Sequence, residues 1–114
     1  MDNLIEEKSF HFAVRIVKLH RHLELNKKET ILSKQLLRSG TSIGANIAEA
    51  QQAQSRADFI SKLSIALKET AETKYWLKLL YSTGYLTSAE LDSILPDCVE
   101  LEKLLTSIIK STKQ

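Results

Sequence analysis

The chain has 114 residues, 43% hydrophobic and 26% charged, with a formal net charge of +2, three glycines, one proline and one cysteine. That size supports one domain with a single modest core, the charge is too small to argue for nucleic acid by itself, and a lone thiol excludes an internal disulfide. No apolar run approaches the roughly 20 residues of a membrane-spanning helix, and with nothing resembling a signal peptide the composition predicts a cytoplasmic protein with no membrane attachment.

The first element is a helix over about residues 3–24. On a wheel of about 100° per residue, Phe10, Ala13, Val14 and Val17 form one apolar sector and Ile5, Phe12, Ile16, Leu19 and Leu23 another. Together they span roughly 220°, against the ~100° stripe that a bundle helix normally buries. Either three neighbours surround this helix within one bundle, or a second subunit covers the excess. Self-association is the reading adopted. The remaining stripe holds Lys8, His11, Arg15, Lys18 and His22. Cations at helical spacing can follow a phosphate backbone or simply line the wet face. His20 and His22 point to different sides and His11 lies nine residues away, so no metal-ligand spacing results.

A short connector carrying Lys27 and Lys28 leads to a second helix over about 29–53, which contains the run "RSGTSIGANIAEA" from Arg38 to Ala50. A phosphate-binding loop would follow a strand and place a lysine beside a hydroxyl after its glycines. Here the preceding "ILSKQLL" is helical and no lysine follows. Read as helix, the segment sorts into three rows. Leu32, Leu36, Ser39, Ile43, Ile47 and Ala50 take core spacing. Gly40, Gly44 and Ala48 make a bare strip that another helix can approach. Arg38, Ser42, Asn46 and Glu49 form a polar row beside the core. Each internal glycine costs about 1 kcal/mol against alanine and an unpaired buried polar group about 1–3 kcal/mol, so the rows predict tight packing and a buried, partnered polar ladder. Hairpin geometry sets Arg38 level with Glu69 and within a turn of Glu72, Asn46 near Lys62, and Glu49 near Asp58 and Arg56. An ion pair from Arg38 to Glu72 or Glu69 is expected, partly buried.

The third helix should run over about 56–83, opened by Ser55 as N-cap with Asp58 as acidic partner and closed by Gly84 in a left-handed conformation. Tyr75, Trp76, Tyr81 and Tyr85 gather at its end as core or interface aromatics. Thr87 and Glu90 open a fourth helix over about 88–111 with a capping box. Pro96 lies inside it and should kink it, the competing reading being a new helix at Pro96. Cys98 reads as a small core residue. Short connectors make neighbours antiparallel. The expected fold is all-α: one up-down-up-down four-helix bundle over 1–114. Charge is uneven along it: residues 1–24 are neutral, residues 25–83 carry a net +4 and residues 84–114 a net −2.

Arg38, Ser39, Ser42, Ile43, Asn46, Ile47, Ala48 and Glu49, followed by Phe59, Leu63, Ile65, Ala66 and Glu72, form two linked motifs, R-S-x-x-S-I-x-x-N-I-A-E and F-x-x-x-L-x-I-A with a downstream glutamate. On these motifs the chain resembles the four-helix bundle family encoded by intervening sequences of bacterial 23S rRNA genes, over about residues 8–112. It departs from many relatives at Ala50, where they have glycine, and at Lys68-Glu69, where they have Gly-Ser. The first change predicts a longer second helix; the second gives Arg38 another acidic neighbour. The resemblance implies a homopentamer around a central channel. The family is also similar to the accessory variability protein of diversity-generating retroelements, which associates with a reverse transcriptase and nucleic acid. No enzymatic activity is implied, and no nucleophile, cofactor motif or metal set accompanies Arg38 and Glu72. The expectation is a non-enzymatic oligomeric interaction module, with RNA or DNA association through Lys8, Arg15, Lys18, Lys27 and Lys28, or else a structural or regulatory partner of another protein.

Overall fold

The computed structural model describes residues 4–114. It contains four helices: α1 (Leu4–Leu25), α2 (Ile31–Ala50), α3 (Arg56–Ser82) and α4 (Ser88–Lys113). The expected start at Asn3 lies outside the described residues. Each helix packs against its sequence neighbours, and α1 closes the ring against α4. Contact numbers fall on one helix as they rise on the other for α1 with α2, where Ser9 and Ile16 meet Gly44 and Gly40. The same holds for α1 with α4 and α2 with α3, while the short turn after α3 folds α4 back along it. Lys8 meets Glu100 and Arg15 meets Asp97; Arg38 meets Glu72, and Glu49 meets Lys62. All neighbours are therefore antiparallel, and the bundle is a rod of 44 × 20 × 19 Å.

The core is a column of one or two side chains per turn from each helix. Phe12, Ile16 and Leu23 come from α1, Leu36, Ile43 and Ile47 from α2, Leu63, Leu77 and Leu80 from α3, and Leu101 and Leu105 from α4. Five hydroxyls share this interior: Ser9, whose Oγ donates to the Glu6 carbonyl, Ser33, Ser39, Thr70 and Thr73. They are tolerated because each is bonded locally. Ser33 Oγ donates to the Glu29 carbonyl and Thr70 Oγ1 to that of Leu67, while Ser39 Oγ and Thr73 Oγ1 lie 2.9 Å apart between α2 and α3. Among the described residues, no buried side-chain nitrogen or oxygen lacks a partner.

The helix ends follow local chemistry. Ser55 Oγ accepts the Asp58 amide, while the Asp58 carboxylate reaches back one residue further than expected, to the Gln54 amide. Thr87 and Glu90 form the reciprocal capping box, and that bonding to the Thr87 amide, with His22 nearby, holds the Glu90 carboxyl below its usual range. Gly84 takes φ +87 after α3. Two boundaries differ from expectation. The α2 winding begins at Ile31 rather than at residue 29, because the buried carboxylate of Glu29 serves as the cap, accepting the amides of Leu32 and Ser33. Ala50 does not lengthen α2. The helix ends there, and Gln51, Gln52 and Ala53 bond three residues back, a tighter winding that carries the chain into the turn. Helix α4 continues through Pro96 without a new start.

Lys28 is the one described non-glycine residue with positive φ, at 57. An L side chain pays about 1–2 kcal/mol there. Lys28→Gly should therefore raise stability by about 0.5–1 kcal/mol in denaturant unfolding, once the entropy that glycine adds to the unfolded chain is deducted.

Candidate functional site

Three surfaces gather the residues that the sequence singles out. The first is the shoulder between α2 and α3. Arg38 donates to Glu69 Oε2 at 3.4 Å and also pairs with Glu72, whose Oε2 accepts the Trp76 indole N–H at 3.0 Å. Tyr75 packs edge-on against Trp76 with ring centroids 5.0 Å apart. The Trp76 hydrogen bond first, then Arg38, holds the Glu72 carboxyl below its usual range, and the Glu72 bond raises the Arg38 guanidinium above its own.

The row is not a buried ladder. Arg38 is 52% exposed, Glu49 is exposed, and Ser42 and Asn46 are half-buried. The inward face of α2 is already taken by Leu36, Ser39, Gly40, Ile43, Ile47 and Ala50, so the polar row falls on the rim. Short side chains there bond back to their own helix: Ser42 Oγ donates to the Arg38 carbonyl and Asn46 Nδ2 to that of Ser42. Glu49, rather than Asn46, meets Lys62, at 3.1 Å. Because the depressed Glu72 carboxyl contributes stability that is present above the usual carboxylate range and lost as pH falls through its folded value, Glu72→Gln should be less stable than the native chain at neutral pH. That difference should shrink in acid, as followed by denaturation at a series of pH values.

The second surface joins α1 to α4. Lys8 Nζ lies 3.1 Å from Glu100, Arg15 bonds Asp97 at 2.6 Å and both oxygens of Ser93, and His22 Nε2 lies 3.5 Å from Glu90. The basic stripe of α1 thus faces an acidic stripe of α4. Lys18, Lys27 and Lys28 come within ion-pair distance of no carboxylate among the described residues. The five phosphate-contact candidates therefore divide: Lys8 and Arg15 are engaged and the other three are not. The helical spacing of the α1 cations and the net negative charge of residues 84–114 were both readable in the sequence; composition alone could not place the two stripes opposite one another.

The third surface is the outer face of α1 and α2. Phe10 is 72% exposed and Val14 36%, while Ala13 and Val17 are half-buried. This is the first of the two apolar sectors, and the bundle leaves it uncovered. Beside Phe10 runs a groove of about 630 Å³ floored by Ala13, Thr41, Gly44, Ala45 and Ala48, with Glu6, Glu7, Gln51 and Gln52 at its end. Glycine makes the floor: a Cβ at Gly44 would stand 3.3 Å from the Ser9 carbonyl oxygen. Gly40 is packed under Ile16 in the interior, and Ala48 is exposed along the groove.

Other candidates are inert. Cys98 is buried with its thiol pushed up to about 12, chiefly by loss of solvent, and its sulfur lies 3.4 Å from the Thr70 carbonyl. Among the described residues no three His, Cys, Asp or Glu side chains gather as a metal would require, and no helix is long and apolar enough to cross a membrane.

Comparison with known proteins agrees with this architecture. The family described as 23S rRNA-intervening sequence protein matches over residues 1–107. A crystal structure of a protein with unknown function from the S23 ribosomal protein family of Bacteroides thetaiotaomicron superposes with a TM-score of 0.94 at 61% identity, covering 96% of this chain and 97% of that one. No curated protein matches.

Proposed function

Since this chain belongs to the 23S rRNA-intervening sequence protein family, whose solved relative has unknown function, we propose that it acts as a non-enzymatic, oligomeric interaction module. The observation that carries this reading is the uncovered apolar sector of α1 beside an apolar groove. Phe10 projects 72% into solvent from a helix whose opposite face is already fully packed. A lone exposed phenylalanine is ordinary; one aligned with Val14, Ala13 and a floor of small α2 residues marks an interface. Ridge and groove are different surfaces placed side by side, so copies would meet head to tail. Such contacts close into rings when the rotation allows, which suits the pentamer implied by the family resemblance. On the α1–α4 surface the Ser93 hydroxyl shares a groove with His11 and His22 but accepts from Arg15.

Phe10→Asp is the test. It places a charge where the neighbouring subunit should sit, and should convert the assembly to monomer in light scattering while far-UV circular dichroism stays helical. A native chain that is monomeric at micromolar concentration would overturn the reading.

A second reading, RNA or DNA association in the cytoplasm, draws on Lys18, Lys27 and Lys28, three cations at and near the α1–α2 corner that make no close ion pair among the described residues. Titration with RNA at two salt concentrations tests it, since phosphate contacts must weaken with salt.

A further inference from the structure

The α1 stripe that suits a phosphate backbone is not vacant. We propose that the acidic row of α4 is an internal competitor that keeps RNA phosphates off the basic stripe of α1.

The pairing is one to one: two cations and a histidine each meet a single carboxylate. Going down α1, Lys8, Arg15 and His22 meet Glu100, Asp97 and Glu90 in reverse order on α4. The α1 groups span about 20 Å at 1.5 Å per residue, and over that length α4 presents fixed negative charges as a nucleic-acid strand would. Three of the five Arg15 guanidinium N–H groups are engaged in this way, donating to Asp97 Oδ2, the Ser93 carbonyl and Ser93 Oγ. Meanwhile the seam is not sealed. Open grooves of about 300 and 590 Å³ flank the Arg15–Asp97 pair, the first lined by Lys8, His11, Asp97 and Glu100, the second by Arg15, Lys18, His22 and Glu90. The cations are reachable from solvent, with Lys8 36% and Arg15 29% exposed. Burial does not prevent a phosphate from reaching them; neutralisation does. Exposed ion pairs are worth only about 0.2–1 kcal/mol each, so these contacts add little to bundle stability and their main consequence is the cancelled surface charge. Of the stripe's lysine and arginine side chains, Lys18 makes no ion pair among the described residues.

The experiment compares Asp97→Asn/Glu100→Gln with a control of equal net charge, Asp92→Asn/Asp58→Asn, whose carboxylates make no ion pair with the stripe. Binding of a fluorescent 20-mer of oligouridylate is measured at about 50 and 200 mM salt. The seam variant should bind about tenfold more tightly than the control at the lower salt. Its log–log salt slope should be steeper by about 1.4, from two freed cations on a single strand. Adding Arg15→Gln should remove half of that slope change. Equal binding by seam variant and control, whether both gain or neither does, would overturn the proposal; so would a gain that Arg15→Gln leaves intact. If the double variant loses helicity, Asp97→Asn alone carries the test, with a slope change of about 0.7. The comparison is between variants, so weak binding by the native chain counts against the RNA reading above without touching this one.

Discussion

Phe12→Ala should cost about 3–5 kcal/mol of unfolding free energy, whereas Phe10→Ala, two positions away on the same helix, should change it by less than about 0.5 kcal/mol in the dissociated protomer. The contrast follows from where the two rings lie. Phe12 is 1% exposed and sits on the packed line with Ile5, Ser9, Ile16 and Leu23; Phe10 is 72% exposed and faces out beside the groove. Removing the Phe12 ring loses its transfer free energy and leaves a cavity walled by helices that cannot all close in. Removing the Phe10 ring loses little inside the protomer, where most of its surface already meets solvent. Under the oligomeric reading it instead weakens assembly, so the two substitutions should separate in a pair of measurements. Phe12→Ala lowers the denaturation midpoint at a protein concentration where the native chain is dissociated, and Phe10→Ala lowers the apparent mass at a concentration where it is assembled.

The two phenylalanines also show what the sequence could and could not disclose. A hydrophobicity pattern sorts α1 into two apolar sectors without saying which one a neighbour covers, because both have helical spacing and similar residues. The decision comes from α2. Gly40 and Gly44 let α1 approach on the side of Ile16 and Ser9, which turns the Phe12 sector inward and leaves the Phe10 sector out. The helices themselves were legible, since capping signals at Ser55 and Thr87 and the glycine at 84 act over a few residues. Glu29 was not legible as a cap, because a glutamate there reads as an ordinary first-turn acid until its carboxylate is seen bonding two amides. The polar row of α2 was placed on the correct side of the helix but at the wrong depth. Periodicity gives direction around an axis, whereas depth depends on how much of that face the neighbouring helix covers. Asn46 and Glu49 misled for a related reason: spacing alone does not tell whether a short polar side chain crosses to the next helix or bonds its own backbone, and Asn46 does the latter.

The same close approach yields the second large effect. Gly40→Ala gains about 1 kcal/mol of intrinsic helix propensity, and an exposed helical glycine so replaced would be stabilised. Here the added Cβ would stand 2.8 Å from both Cγ1 and Cγ2 of Ile16, a side chain with no exposed surface. Relief requires α1 and α2 to separate or Ile16 to leave its rotamer, an overpacking cost of about 1–3 kcal/mol. The net expectation is a loss of up to about 2 kcal/mol, against the sign that propensity dictates. Ile16→Ala removes both clashing carbons but alone leaves a cavity, costing about 2–5 kcal/mol. In the double variant the new methyl group occupies part of that cavity, so the combined loss should fall short of the sum by at least about 1 kcal/mol, as residues in direct contact do. Urea unfolding of the four proteins measures the coupling. Strict additivity, or a Gly40→Ala variant more stable than the native chain, would mean that α1 and α2 stand further apart than described and that the Phe10 face owes its exposure to something else.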